Sequence, residues 1–543
     1  MAEHRVCARA RRGSGPALTP YRRPFLKLCL MAVEEQSVVA ASGGCDSIVK
    51  GVEDAEVRKP QDGNSAAQPD NHHVSEGSCS CDDMSEDESK DGKPGPSKWR
   101  VRADACYAWL YPLSAGAAAR AGQGGAPRLE ALDAPRWIAS IQIVCYHMYH
   151  SEEGYAKYST WMACWTQLFF LLSGFVLSYA ELAKPPKKGP GRLSLLRYVR
   201  RRLTVIYPAF ALSLLLKVTY APGQSLFDWA MFPLHVLLLQ SWLPICSMTE
   251  AGGISCSPWM YNGEAWFLSV LVVFWFFLRP LAEFYRRRSI TFCSATLVFC
   301  WLFSFVYQAF GREDRLAEWI GCEDRFCPFI IMVAIRATPV GYFHVFIAGV
   351  ASARMFMITA TRDAETGEQV TPGTKRVVLA EQTAPLILRY GVCVGYLAYA
   401  VMVLGATAWI ETHYYFFHNG GMLPVMILVL IGAAIGRDPI TVWVFRSKPF
   451  LVLGRISYLQ YLMQHVLQGW IKRTFGWEDN ATAKILFIPA LLVFSYFCQR
   501  WVEKPYTEYQ RWRTEKGVKG CDDRYIARLE SMGSKASSVL RMG

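Results

Sequence analysis

The chain has 543 residues, of which 52% are hydrophobic and only 19% are charged. A soluble chain of this length would fold into domains with amphipathic segments, whereas here apolar runs recur from about residue 130 almost to the C-terminus. The composition therefore excludes an ordinary soluble protein and predicts a helical membrane protein. The net charge of +13 fits basic loops on the cytosolic side of a membrane, and no nucleic-acid-binding motif is present, so we expect no nucleic-acid partner.

The N-terminal region differs in composition from the rest of the chain. It begins rich in arginine and continues with Ser, Asp, Glu and Gly, as in the stretch GSCSCDDMSEDESKDGKPGPSKWR. Such a composition does not bury enough apolar surface to fold. We therefore predict a disordered cytosolic region over 1–128, a transmembrane domain over 129–509 and a basic cytosolic tail over 510–543.

Ten segments are apolar over about the 20 residues that a membrane-spanning helix requires, which predicts an all-α transmembrane bundle of about ten helices in a lipid bilayer. They are 133–150, 160–182, 203–220, 264–284, 289–310, 329–357, 384–409, 421–436, 449–470 and 484–502. A further apolar stretch at 227–243 is short and contains Pro233, His235 and Gln240. We expect it to be re-entrant or a broken helix, because such backbone is tolerated only where it lines a cavity inside the protein.

The distribution of basic residues predicts the orientation. The densest basic loop, 184–202, should lie in the cytosol. If 227–243 is not a full span, the basic residues at 286–288 and in the C-terminal tail fall on the same side. Both termini are then cytosolic, although the sequence does not indicate which membrane holds the chain.

The loops on the other side carry features of an oxidising compartment. Cys246 with Cys256, and Cys322 with Cys327, are candidate disulfides, and Asn480 is a candidate glycosylation site in the sequon Asn-Ala-Thr. These features were not used to assign the topology, and they agree with it.

The first predicted span carries two ionisable residues, Arg136 and His147, separated by eleven positions. On a helix this spacing is about three turns, roughly 16 Å, and it returns to within about 20° of the start, so both side chains lie on one face. A charge in hydrocarbon costs several kcal/mol. We therefore predict that this face borders a polar cavity.

Arginines at the start of the third predicted span suit two roles. They anchor the span on the cytosolic side, and their guanidinium groups are suited to gripping the phosphates of a cofactor that enters from the cytosol. The candidate cofactor-binding residues are Arg197, Arg200, Arg201 and Arg202.

Taken together and in order, the polar motifs resemble those of the acyltransferase-3 family of membrane-bound O-acyltransferases, which includes polysaccharide O-acetylases. The resemblance runs from about Leu129 to about Tyr509. It rests on Leu132-Asp133…Arg136 followed by His147, Phe170-Leu-Leu-Ser173-Gly174-Phe175, Tyr198-Val-Arg-Arg-Arg202…Ile206-Tyr207-Pro208, Gln240-Ser-Trp242, Asn262…Trp266…Leu268-Ser269, Phe346…Gly349, Gly454-Arg-Ile-Ser457-Tyr458 and Glu503-Lys-Pro505.

The resemblance implies transfer of an acyl group from acyl-CoA, with acetyl-CoA as the expected donor, to a hydroxyl of a carbohydrate or lipid acceptor. We predict His147 as the general base, and Arg136 as a group that stabilises charge on the thioester oxygen or orients the donor or His147. The alternative for His147 is a buried structural histidine. No Ser-His-Asp arrangement is evident, so direct transfer is simpler than a covalent acyl-enzyme.

Further polar residues of these motifs are candidates for substrate binding, and no metal or tightly bound cofactor is expected. They are Ser173, Asn262, Glu264, Trp266, Ser269, Tyr458 and His465. For Ser173, which is followed by Gly174, close helix packing is an equally good interpretation.

Three departures from the family pattern keep two other functions open. Val205 stands where an Arg is usual, Leu271 where a Glu is common, and Gln464 where a His commonly aligns, with His465 next to it. An inactive relative with a regulatory role is one alternative. A small-molecule transporter is the other, because buried Arg and His and a broken segment also suit a substrate path, although no inverted repeat is evident.

Overall fold

The computed structural model describes residues 128–149, 156–184, 195–221, 225–242, 244–248, 254–310, 326–363, 365–370, 377–405, 407–476 and 481–515. Within these ranges the chain is a helical bundle with two short hairpins, which confirms the predicted all-α class. Residues 1–127 and 516–543, together with Cys322, the side chain of Cys327 and Asn480, lie outside the described residues. The predictions made for them stay predictions.

The α-helices of the described residues are numbered here in chain order. They are α1 (Asp133–Tyr149), α2 (Ala156–Ala163), α3 (Thr166–Leu182), α4 (Leu195–Tyr220), α5 (Leu226–Val236), α6 (Trp266–Arg286), α7 (Ile290–Phe310), α8 (Phe326–Ala337), α9 (Pro339–Ala360), α10 (Leu386–Arg389), α11 (Gly391–Gly405), α12 (Thr407–Thr412), α13 (Tyr414–Phe416), α14 (Leu423–Ile435), α15 (Lys448–Phe475), α16 (Ala481–Cys498) and α17 (Lys504–Glu515). Tighter or wider helical turns occur at Glu130–Leu132, Ser257–Trp259, Gly263–Ala265, Glu381–Thr383, Phe417–Gly421, Thr441–Phe445 and Gln499–Glu503.

Two antiparallel hairpins lie in the connections between helices. Strand β1 (Cys246–Met248) pairs with β2 (Ile254–Cys256), and β3 (Thr361–Asp363) pairs with β4 (Val377–Leu379). In the first hairpin Cys246 is directly opposite Cys256, and the two form a disulfide. One of the two predicted disulfides is therefore confirmed, and it ties down the loop that leads to α6.

Helices occur at all ten predicted spans, but seven helical segments of the described chain are long and apolar enough to cross a membrane. They are Tyr158–Leu182, Leu195–Tyr220, Gly263–Arg286, Ile290–Phe310, Phe329–Ala360, Tyr414–Ile435 and Thr482–Gln510. The count of ten is thus not confirmed. Helices α1 and α11 are shorter than the seven segments. Helix α15 is long but less apolar, since it packs among other helices and carries buried polar residues such as Gln460 and Gln464.

The stretch 227–243 is a broken helix, as its short length and its proline indicated. Helix α5 has 11 residues, about 16 Å, which is too short for a hydrocarbon core of about 30 Å. The chain then turns through Leu238, whose φ is 56°. The turn is held by neighbouring helices, because the Tyr207 hydroxyl donates to the carbonyl of Val236 at 3.0 Å and the Ser269 hydroxyl to that of Leu238 at 2.8 Å.

Hydrogen bonds between α1, α4 and α15 define two ends of the bundle. Arg136 of α1 bonds to Ser457 of α15, while His147 lies against His465 of the same helix, so α1 and α15 run parallel. Helix α4 runs the same way, because Tyr458 bonds to the carbonyl of Ile206 and Tyr220 to that of His465. We call the end with the N-termini of these three helices the basic end, and the opposite end the cavity end.

Small residues allow α3 and α9 to pack with their backbones in contact. A Cβ added at Gly174 would overlap the carbonyl oxygen of Phe346, and one added at Gly349 would overlap that of Leu171. Close approach through facing glycines is common between membrane helices. Gly174 thus serves packing, while substrate binding by Ser173 stays a prediction.

We expect Gly174→Ala to lower the melting temperature of the detergent-solubilised protein, because overpacking costs about 1–3 kcal/mol. Gly405→Ala is the matched control, since a Cβ there meets no atom within 4 Å. It should leave the temperature unchanged or raise it, because alanine favours helix by up to about 1 kcal/mol. Equal melting temperatures for both variants would contradict the packing described here.

Candidate functional site

A cavity of about 640 Å³ opens at the cavity end of the bundle, within the size range of small-molecule sites. Its lining combines aromatic rings with ionisable side chains. The aromatic residues are Tyr146, Tyr220, Trp259, Tyr261, Trp266, Tyr414 and Tyr461. The ionisable residues are His147, Lys217, Glu264, Arg336, His418, His465 and Lys472.

The Glu264 carboxylate joins two histidines at one wall of this cavity. Its side chain is 5% exposed, and its Oε1 lies 3.1 Å from Nε2 of His147 and 3.1 Å from Nε2 of His465. The two rings meet edge to face, with centroids 4.5 Å apart. An ionised carboxylate only accepts hydrogen bonds, so both Nε2 atoms carry hydrogen, and in the neutral form of each ring Nδ1 then holds the lone pair. Such a nitrogen can accept a proton.

The turn before α6 positions Glu264. The Oδ1 of Asn262 accepts from the Glu264 backbone N–H at 3.2 Å, an arrangement in which Asn is favoured because its side chain can replace a backbone acceptor. The Asn262 amide also donates to Ser213 Oγ at 2.9 Å and to the carbonyl of Leu462 at 3.1 Å. Asn262 therefore anchors the turn to α4 and α15. It does not line the cavity.

The sequence left open whether Gln464 or His465 takes the place of the family histidine. His465 lines the cavity and contacts Glu264, whereas Gln464 is 2% exposed and is not part of the lining. Adjacent helix positions differ by about 100°, so only one of the two side chains can face Glu264. The imidazole is present, shifted by one position.

Arg136 lies at the basic end and is not part of the cavity lining. Its Nε donates to Ser457 Oγ at 3.0 Å, and its Nη2 donates to Asp133 Oδ1 at 2.9 Å and to the carbonyl of Gly454 at 2.5 Å. Like His147 it contacts α15, so the predicted common face exists. Arg136 nevertheless joins α1 to α15 about three turns away from His147. A direct part for Arg136 in chemistry stays a prediction.

The remaining predicted substrate residues divide into two groups. Trp266, with Glu264 and His465, lines the cavity. The others are not part of the lining: Ser269 Oγ donates to Leu238 and accepts the backbone N–H of Ser241, and the Tyr458 hydroxyl donates to Ile206. Together with Asn262, these side chains support the fold around the cavity, and Ser173 is likewise not part of the lining.

The four arginines predicted to bind a cofactor lie in the first turns of α4, at the basic end. Arg200 and Arg201 are exposed there, and the guanidinium of Arg202 lies 5.3 Å from the centre of the Tyr198 ring. They are thus at the opposite end of the bundle from the Glu264 site. Binding of acyl-CoA by these residues stays a prediction.

The sequence reasoning missed Arg336, at the end of α8. Its Nη2 donates to the Tyr414 hydroxyl at 3.1 Å, and its guanidinium lies 5.1 Å from the centre of that ring. A signal was present, because Arg336 is a charged residue within the predicted span 329–357, and such residues usually serve function. Lys217, Lys472 and Tyr461 were missed as well, since nothing in their local sequence indicates a shared cavity.

The same histidine–carboxylate group has the composition of a metal site. One ligand atom each from His147, Glu264 and His465 lies within 4.8 Å of the others. Two histidines and one glutamate are a known zinc ligand set. The hydrogen bonds already satisfy all three groups, so the geometry suits a proton-transfer site without requiring an ion.

A bundle of long apolar helices around a histidine–carboxylate cavity defines a multi-pass membrane protein with a site suited to acid–base chemistry. Comparison with known families then gives the assignment. A family model for an acyltransferase domain, Acyl_transf_3, matches residues 129–499, and the chain belongs to this acyltransferase family. The resemblance inferred from the motifs is thereby confirmed. Comparisons with curated proteins and with solved structures gave no significant match.

Elemental analysis of the purified protein tests the metal alternative. We expect less than one equivalent of zinc or another transition metal per chain, because Nε2 of each imidazole is already hydrogen-bonded to the Glu264 carboxylate. One equivalent of metal that is lost in His147→Ala and kept in His413→Ala would contradict this expectation. His413 is a suitable control because it is exposed and bonds only locally, to Thr412 and Trp409.

Proposed function

We propose that the protein transfers an acyl group, with acetyl as the expected case, from acyl-CoA to a hydroxyl of an acceptor bound in the cavity, with His147 as general base. The observation that carries this proposal is the Glu264 carboxylate bonded to Nε2 of both His147 and His465. It fixes each ring in one tautomer and leaves a basic nitrogen free. The membership in an acyltransferase family supports the reaction class.

The reaction needs few groups. Nδ1 of His147 takes the proton of the acceptor hydroxyl while its oxygen attacks the thioester carbonyl, and Glu264 stabilises the imidazolium that forms. The new C–O bond forms, the C–S bond breaks, and the imidazolium returns its proton to the departing thiolate. The acceptor leaves as an ester and the donor as free CoA. No covalent acyl-enzyme is required.

The two substrates approach from opposite ends in this scheme. The arginines at the start of α4 suit the phosphates of CoA at the basic end, which the positive-inside rule assigns to the cytosol. The acyl end of the donor then reaches through the bundle toward His147. Arg136, between these regions on α1, contributes by holding α1 and α15 in register.

The positions of two departures from the family pattern, Leu271 and Gln464, favour an active protein over an inactive relative, whereas Val205 lies near the arginines of the basic end. Val205 is 48% exposed on the surface of α4, and Leu271 is 7% exposed inside α6. Together with Gln464 they are not part of the cavity lining. The transporter alternative rests on the buried Arg and His and on the broken segment at 227–243, whereas a carboxylate shared by two imidazoles specifically suits proton transfer.

Labelled acetyl-CoA incubated with membranes that contain the protein tests the reaction. We expect label on a glycan or lipid, reduced by about 10²–10⁴ in His147→Ala because the general base is gone. His413→Ala, with its imidazole outside the cavity, should retain the wild-type rate. Equal labelling by wild type and His147→Ala would refute His147 as the base, and movement of a solute without covalent label would favour a carrier.

Glu264→Gln tests the carboxylate while keeping the side chain's shape. We expect the acyl-transfer rate to fall by at least about tenfold and by up to about 10⁴, because an amide neither fixes both tautomers nor stabilises the imidazolium. His465→Ala should reduce the rate less, since His147 keeps its contact with Glu264. A Glu264→Gln rate equal to that of wild type, at matched protein levels, would show that the carboxylate takes no part.

A further inference from the structure

Basic side chains outnumber carboxylates among the described residues that line the cavity. Of the described residues that line it, three are cationic, Arg336, Lys217 and Lys472, and one carries a carboxylate, Glu264. That carboxylate is already bonded to two imidazoles on its own wall. A cavity with this imbalance attracts an anionic ligand.

Arg336 provides the strongest recognition group. Its side-chain partners among the described residues are the Tyr414 hydroxyl at 3.1 Å and the Met332 sulfur at 3.9 Å, and neither is anionic. A guanidinium has five N–H donors, arranged in a fork that matches a carboxylate or phosphate. Most of this capacity remains for a ligand.

The backbone around Arg336 is fixed before any ligand binds. The Asn419 amide donates to the carbonyl of Ile335 at 3.0 Å, the Tyr342 hydroxyl to that of Arg336 at 3.2 Å, and the Thr338 hydroxyl to that of Ala334 at 2.6 Å. These bonds hold the last turn of α8 at the cavity wall. Such preorganisation favours affinity, because little ordering remains to be done on binding.

Lys217 adds a second charge from a different helix. It lies in the last turn of α4, and its ammonium is 4.8 Å from the centre of the Tyr220 ring. Charges from α4 and α8 therefore face one volume from two sides. The aromatic rings between them, Trp259, Tyr261 and Trp266 among them, offer flat apolar surfaces of the kind against which the C–H faces of a sugar ring pack.

In the proposed scheme the phosphates of the acyl-CoA donor bind away from this charge, at the basic end. The arginines suited to them lie at the basic end, in the first turns of α4, while Lys217 lies in its last turn. An anion that Arg336 binds is therefore a part of the other substrate.

We propose that the acceptor is an anionic carbohydrate, whose carboxylate or phosphate group is bound by Arg336 and whose ring packs on the aromatic wall. The inference rests on the proposed function only in naming this molecule the acceptor. The binding site itself is defined by the cavity and its charges, independently of turnover.

Ligand-observed NMR on the full-length protein in nanodiscs tests the proposal without acyl-CoA. The probes are methyl β-D-glucuronide, glucose 1-phosphate and methyl β-D-glucoside, the first and last of which differ only at C6. We expect at least one anionic probe to bind ten or more times more tightly than the neutral glucoside. Binding of the glucuronide alone assigns a sugar acid, and binding of the sugar phosphate alone assigns a phosphorylated sugar.

Two variants test whether Arg336 causes the preference for anionic probes. Arg336→Gln should remove the preference for the anionic probe, while Arg455→Gln, the same change at an exposed position of α15 outside the cavity, should keep it. If Arg336→Gln does not give monodisperse protein, Arg336→Lys serves instead. It should lose part of the preference for the anionic probe, because lysine keeps the positive charge but lacks the forked pair of N–H donors.

Three results would overturn the proposal. One is equal binding of the neutral and anionic probes by the wild type, and another is an Arg336 variant that keeps the preference. The third is that inorganic phosphate binds as tightly as glucose 1-phosphate, because the sugar ring would then contribute nothing to the affinity. None of these measurements involves acyl transfer. A negative binding result would therefore leave the proposed reaction to be tested separately by the His147 experiment.

Discussion

The carboxylate of Glu264, buried between two imidazoles, is the interaction on which the rest of the site depends. An ionised group away from water costs several kcal/mol unless it is paired and hydrogen-bonded. Here two N–H groups, from α1 and from α15, point at one oxygen atom. Helix α1, helix α15 and the turn before α6 must therefore come within hydrogen-bonding distance of one another. The surrounding structure holds them there.

Two sets of hydrogen bonds hold α15 in place, one near its start and one near its middle. At the basic end Arg136 bonds to Ser457 and to the carbonyl of Gly454, and at the cavity end Asn262 bonds to the carbonyl of Leu462. A shift of α15 by one residue would rotate its side chains by about 100° and replace His465 with a neighbour that cannot bond to Glu264 in the same way. The spacing between Arg136 and His147 therefore fixes the distance along α1 between its contact with α15 near the basic end and its contact with α15 near the cavity end.

The bundle was predictable because hydrophobicity is a local property of the chain, and long apolar runs indicate helices wherever they occur. The place of His147 at a polar cavity was predictable for a similar reason, since its spacing from Arg136 lies within one helix. The pairing of His147 with Glu264 and His465 was not, because it joins segments more than one hundred residues apart through packing. The same holds for Arg336 and Lys217, which share a cavity although α8 and α4 are distant in sequence. Asn262 and Ser269 show the converse, because polar residues of a motif can serve the fold instead of the ligand.

The separation of charges between the two ends gives the proposed reaction its direction. Arginines at the start of α4 suit the nucleotide of the donor, and Arg336 and Lys217 suit an anion at the far end, so each substrate is attracted to a different entrance. Two anionic substrates that entered by the same path would repel one another and compete for the same cations. With separate entrances they meet only where the thioester reaches His147. In the proposed scheme a donor on one side of the membrane therefore modifies an acceptor on the other without either molecule crossing.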